Sequence, residues 1–286
     1  MIGAIIGDIV GSKYEFCNIK TKDFPILSKG CTYTDDSVMT VAVAKAILTA
    51  MDKRKDFKEE LVKEMRDLGN RYPNAGYGGM FSNWLSSKNP MPYNSFGNGS
   101  AMRVSPCGMI AVELDEALSL ARAFAEVTHN HPEGIKGAQA VAGAVFLAKT
   151  KKSKDEIKKF ISENYYTFNF SLNDIRKDYR FDVTCQGSVP QAIVAFLESK
   201  DFEDAIRNAV SIGGDSDTIA AITGSIAWAY YIEHGIVTPI NYPDCYSDIQ
   251  EMLPDEFKNI VNKFSAECIS RYDVYQRVGI CSRIPH

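Results

Sequence analysis

Apolar residues recur at helical spacing over segments 38–51, 57–69, 114–127, 135–148, 189–197, 202–212 and 218–232. The opening Met1-Ile2-Gly3-Ala4-Ile5-Ile6-Gly7-Asp8 is apolar throughout until Asp8 and reads as a buried first helix. Sustained period-two alternation is scarce, so the pattern predicts an all-α protein. Alanine and glycine concentrate in 41–46, 137–144 and 219–224. Small residues let helices approach closely, which places these three segments at the centre of an orthogonal helical bundle. No Gly/Ser or Pro-rich linker and no fixed-period repeat divides the chain, so residues 1–286 are expected to form one compact domain. The lysine run 149–154 reads as a solvated helix start.

Composition narrows the partners. With 45% hydrophobic residues the chain can bury a substantial core, and a net charge of -4 leaves no global basic field for nucleic acid or an anionic membrane. Seven cysteines at 17, 31, 107, 185, 245, 268 and 281 contain no C-x-x-C pair and suggest no disulfide or zinc framework, which fits a reducing cytoplasm. The N-terminal run lacks a basic flank and reaches neither signal-peptide nor membrane-span length. A cytoplasmic monomer is expected.

Two acidic clusters change the picture: Thr34-Asp35-Asp36-Ser37 and Gly213-Gly214-Asp215-Ser216-Asp217-Thr218, each just before a predicted Ala-rich helix. Capping accounts for one acid per helix, since only one side chain can occupy the cap. The surplus needs another partner. If the two starts converge, each like-charge pair near 4 Å costs roughly 4 kcal/mol at an effective dielectric of about 20, and cations relieve that cost. The clusters offer carboxylate and hydroxyl oxygens without His or Cys, a donor set suited to magnesium or manganese. Four or five carboxylates fit two ions better than one. Asp8 and Glu15, seven residues apart, fall on one face if a helix spans both, and either is placed to join the acidic centre.

Asn94-Ser95-Phe96-Gly97-Asn98-Gly99-Ser100-Ala101-Met102-Arg103 reads as a glycine-rich loop running into a helical segment. Its backbone N–H groups suit a phosphate, and Phe96 offers a face to a base. Arg103 is expected in a structural ion pair. In Thr128-His129-Asn130-His131-Pro132-Glu133, His131 reads as part of a Pro-started turn, while His129 remains open as an acid, base or substrate donor.

Together these segments resemble the ADP-ribosylglycohydrolase family. The resemblance rests on residues 3–11 with Glu15, on Thr34-Asp35-Asp36-Ser37, on 97–103, on Thr128-His129 and on 213–218, five motifs in the family's order. It implies an all-α domain around two magnesium or manganese ions held by Thr34, Asp35, Asp36, Asp215, Asp217 and Thr218. It further implies that the distal ribose hydroxyls approach the metals and that Glu15 lies near the scissile bond. The loop of Ser95, Gly97, Asn98, Gly99 and Met102 would receive the diphosphate, with Phe96 on the adenosine and His129 nearby. Ser37 stands where many members have Thr, and 130–133 is one of several variants after the Thr-His pair. The expected reaction is hydrolysis of the C1″ bond of an ADP-ribosylated side chain or small adduct, with Glu15 or Asp36 as general base. A metal-dependent phosphohydrolase, or a noncatalytic ADP-ribose-binding or crystallin-like relative, is the alternative.

Overall fold

The computed structural model describes residues 1–236 and 245–281, with side chains for all of these but 245, 246 and 277–281. Every regular element among them is helical. Helix α1 spans Ile2–Ser12, α2 Asp35–Lys53, α3 Phe57–Arg71 and α4 Gly79–Ser86. The short α5 (Gly99–Met102) and α6 (Ser105–Ile110) precede α7 (Leu114–Glu126) and α8 (Pro132–Lys149). Then come α9 (Lys154–Asn164), α10 (Leu172–Ile175), α11 (Cys185–Leu197), α12 (Phe202–Ser211) and α13 (Ser216–Glu233). Helices α14 (Cys245–Met252) and α15 (Asp255–Cys281) follow.

The expected helices are all present, their ends moved by no more than four residues. Helix α9 was hidden because it buries only Ile157 and Ile161. Helix α15 buries Phe257, Ile260, Val261 and Phe264, but Ile269 and Val274 further along are exposed, so its apolar period fades halfway. Ser153 starts α9 with a capping box to Glu156. Around that start Lys151 and Lys152 are exposed, whereas Lys149 and Lys154 turn back onto the carbonyls of Ala111 and Leu197. Cys17, Cys31, Cys107, Cys185 and Cys268 are free thiols; Cys245 and Cys281 lie outside the described side chains. No described helix is long and apolar enough to cross a membrane.

The centre of the bundle differs from the expectation. Helix α13 is buried from Ser216 through Ala229, and α1, α8, α11 and α12 pack around it. Helix α2 is largely buried too, but mainly against α3, α15 and α1 rather than against α8 or α13. The partner of α13 is instead α1, through a stripe of glycines. An ideal Cβ on Gly3 would lie 2.2 Å from the carbonyl oxygen of Gly224, one on Gly7 2.0 Å from that of Ala220, and one on Gly11 2.4 Å from that of Ser216. The two backbones touch, and the last contact sits at the start of α13, where Asp215 and Asp217 emerge.

Gly7→Ala tests this packing. In a free helix the exchange gains up to about 1 kcal/mol, but here the methyl meets backbone that cannot rotate away, so overpacking wins. A loss of about 3 kcal/mol or more is expected, read as a lower urea midpoint. An unchanged midpoint would show that α1 and α13 can separate freely.

Candidate metal centre and substrate cleft

The two acidic helix starts do converge. Thr34 caps α2, its Oγ1 accepting from the N–H of Asp36 at 3.3 Å. Asp215 stands at the N-cap position of α13, after a turn in which Gly213 and Gly214 take φ values of 66° and 79°. These left-handed values suit glycine, and a Cβ on Gly214 would also lie 2.3 Å from the ring of Tyr179. Thr218 links the starts: its hydroxyl donates to Asp36 Oδ2 at 3.1 Å, and its N–H to Asp217 Oδ1 at 3.0 Å.

Asp8 serves as a buried hydrogen-bond acceptor for the start of α2. Fully buried, it accepts from the N–H and hydroxyl of Thr34 at 2.9 and 2.7 Å and from the N–H and hydroxyl of Ser37. It therefore ties α1 to the start of α2. Glu15 is not on α1, which ends at Ser12, so the shared helical face with Asp8 does not exist. A turn carries Glu15 back to the cleft instead, where its carboxylate, that of Asp215 and that of Asp217 have oxygens all within 4.8 Å of one another.

Asn18 holds that turn in place, a role no sequence signal announced. Its Nδ2 donates to the carbonyls of Tyr14, Glu15 and Gly214 at 2.7, 2.8 and 2.9 Å, and its Oδ1 accepts from the N–H of Gly214 at 2.7 Å. The Glu15 turn and the Gly213–Gly214 turn are thereby one unit, although 196 residues separate Asn18 from Gly214.

Electrostatically the centre lacks counter-charge. No ion pair among the described residues includes Asp8, Glu15, Asp35, Asp36, Asp215 or Asp217. Burial first, and the neighbouring Asp217 charge next, push Glu15 up to about 8 and hold Asp35 and Asp36 well above the carboxylate range. Burial pushes Asp215 up to about 6 and raises Asp217 strongly, Asp217 being raised further by Asp215. Asp36 Oδ1 is buried without a hydrogen-bond partner. Crowded, desolvated carboxylates with an orphaned oxygen fit hard cations. The hydroxyls of Thr34 and Thr218 donate to Asp8 and Asp36, which keeps lone pairs available for such ions.

The pH dependence follows with a definite sign. Carboxylates whose folded pKa lies above the unfolded value near 4 contribute stability below about pH 4. That contribution is lost as pH rises through about 6 for Asp215 and about 8 for Glu15. A bound cation removes the repulsion, so the gap between magnesium-loaded and chelated melting temperatures should widen from pH 5 to pH 8. A gap that narrows would contradict the cation site.

A cleft of about 410 Å³ is lined by Asp35, Asp36, Asp215, Asp217, Thr218 and Glu15. Ser95, Gly97, Asn98, Gly99, Met102 and His129 line the same cleft. An antiparallel bridge between Gly97 and Thr184 anchors the glycine-rich loop, with Asn98 N–H donating to the Val183 carbonyl and Cys185 N–H to that of Phe96, at 2.8 and 2.9 Å. Asn98 also joins the two halves of the site, donating to Asp215 Oδ2 at 2.6 Å.

Phe96, Arg103 and His131, singled out in the sequence, have definite surroundings. Phe96 is 45% exposed and packs its ring on His131, while Phe16, Phe81, Tyr93 and Phe181 supply the rings on the cleft wall. Phe16 and Phe181 stack on each other at 6.2 Å. Arg103 makes no ion pair with a described residue: it is 2% exposed and donates to Thr128 Oγ1 at 2.7 Å and the Phe124 carbonyl at 3.4 Å. His131 behaves as the turn predicted, its Nδ1 accepting from the N–H of Glu133 at the start of α8.

The chain is similar to known proteins over most of its length. A family model described as ADP-ribosylglycohydrolase matches residues 1–268. The ADP-ribosylhydrolase ARH3 of Xenopus tropicalis is 26% identical, covering 85% of this chain and 88% of its own. ARH3 of Homo sapiens is 25% identical over 81% and 84% of the two chains. The ADP-ribosylarginine hydrolase Tri1 of Serratia proteamaculans is 25% identical over 84% and 72%. A solved structure described as an ADP-ribosylglycohydrolase-related protein complex superposes with a TM-score of 0.67 at 21% identity, covering 95% of each chain.

Proposed function

This chain belongs to the ADP-ribosylglycohydrolase family, and from that premise we propose that it cleaves the C1″ glycosidic bond of an ADP-ribosylated protein side chain or small adduct. ADP-ribose is the product released, and two magnesium or manganese ions are the cofactor. One observation carries the reading: a crowded acidic cluster suited to cations and a glycine-rich loop line one and the same cleft.

Asp35, Asp36, Asp215 and Asp217, with the hydroxyls of Thr34 and Thr218, would hold the ions. Bound there, the ions supply Lewis acidity and a template for the distal ribose. The chain's own groups divide the remaining work. Glu15 lines the cleft half-buried, without a cationic partner among the described residues, and would take the proton of the attacking water, with Asp36 as the other base within the centre. The surrounding carboxylates stabilise positive charge developing at C1″. The Ser95–Gly99 loop receives the diphosphate, through backbone N–H groups other than those of Gly97 and Asn98, which Ser95 Oγ and the Val183 carbonyl already occupy, while His129 donates beside it and Met102 lines the cleft. Phe96 reaches the adenosine from the outer side of the loop, next to His131.

Incubation with arginine-linked, serine-linked and O-acetyl ADP-ribose, first with magnesium and then with excess EDTA, tests the proposal. Free ADP-ribose from at least one substrate, lost on chelation, is the expected result. Formation of AMP from ADP-ribose would instead identify a phosphohydrolase.

A further inference from the structure

Beneath the glycine-rich loop, Arg103, Thr128 and His129 form a side-chain series that the acidic centre does not explain. Arg103 Nη2 donates to Thr128 Oγ1 at 2.7 Å, and the same oxygen lies 2.7 Å from His129 Nδ1. Thr128 is fully buried and His129 is 5% exposed. The other ring nitrogen faces the loop: a Cβ on Gly97 or Gly99 would lie 3.6 or 3.2 Å from His129 Nε2. Glycine at both positions keeps that nitrogen uncovered.

A hydroxyl has one proton and two lone pairs, and a guanidinium only donates. One lone pair of Thr128 Oγ1 is therefore taken by Arg103. If His129 carried a proton on Nδ1, it would occupy the second lone pair, and the hydroxyl proton would be stranded in a fully buried place with no third partner. With Nδ1 bare, Thr128 donates to it and the hydroxyl is fully used. We infer that Arg103 and Thr128 are positioning residues that lock His129 as the neutral Nε2–H tautomer, presenting one fixed donor between Gly97 and Gly99 to a substrate oxygen. Burial, and then the charge of Arg103, act in the same direction by opposing a second proton on the ring. The functional half of this inference rests on reading the cleft as an ADP-ribose site; the tautomer half does not.

Nitrogen-15 NMR of the histidine-labelled, magnesium-loaded chain reads the ring directly, with the His129 signals assigned by their absence in His129→Asn. An Nε2–H ring is expected. Thr128→Val keeps the shape but removes the hydroxyl; the ring should become a tautomer mixture, and calorimetry should show ADP-ribose binding weakened by about 10- to 100-fold. Thr128→Ser should restore both. A wild-type ring protonated on Nδ1 overturns the inference even in a fully active enzyme, and it does so whether or not Thr128→Val folds. Unchanged ring state and affinity in a folded Thr128→Val protein overturn it equally. An Nε2–H ring in a chain that binds no ADP-ribose upholds the lock and removes the reading of the cleft.

Discussion

Asp217→Ala should abolish ADP-ribose release, lowering turnover to that of the EDTA-treated parent, while the chelated protein stays at least as stable as the chelated parent at pH 8. Asp217 faces Glu15 and Asp215 within the cluster of carboxylate oxygens, so its loss removes a donor from the centre of the site. Its Oδ1 accepts from the adjacent Thr218 N–H. The alanine thus strands one helix-start N–H, worth about 1 kcal/mol, and relieves the repulsion that raises Glu15, Asp35 and Asp36. Turnover and metal content are read together. A variant with both unchanged would remove Asp217 from the site.

Glu15→Gln should lower turnover by about 10²–10⁴, the range of general acid–base help, and affect ADP-ribose binding far less. The turn carrying Glu15 is held through the backbone carbonyls that Asn18 grips, so glutamine should occupy the same place. What disappears is basicity. Calorimetric titration of ADP-ribose into the magnesium-loaded variant, beside a turnover assay, separates the two effects. Near-normal turnover would exclude Glu15 from the chemistry, and loss of metal with activity would recast it as a ligand.

Much of this protein follows from local rules. Helical class is written in apolar spacing within a few turns, and α2, α7, α8, α12 and α13 appear close to where the spacing places them. The two acidic starts were legible because a cap uses one acid and each start carries two. The turn at His131 and Pro132 was legible for the same reason: capping involves neighbours in sequence.

Position in space obeys no such local rule. The sequence alone determined that acids crowd two helix starts and that glycines line one loop. Only the tertiary structure decided that Asp8 buttresses α2 across 26 residues, and that Glu15 reaches the centre from a turn rather than a helix. It also decided that Arg103 hydrogen-bonds a threonine instead of an acid, and that α1, not α2, lies against α13. The physical reason is common to all four. A side chain's intrinsic chemistry and its helical period are properties of a few consecutive residues, whereas its partner is chosen by which backbones can touch, and here a stripe of glycines on α1 makes that choice.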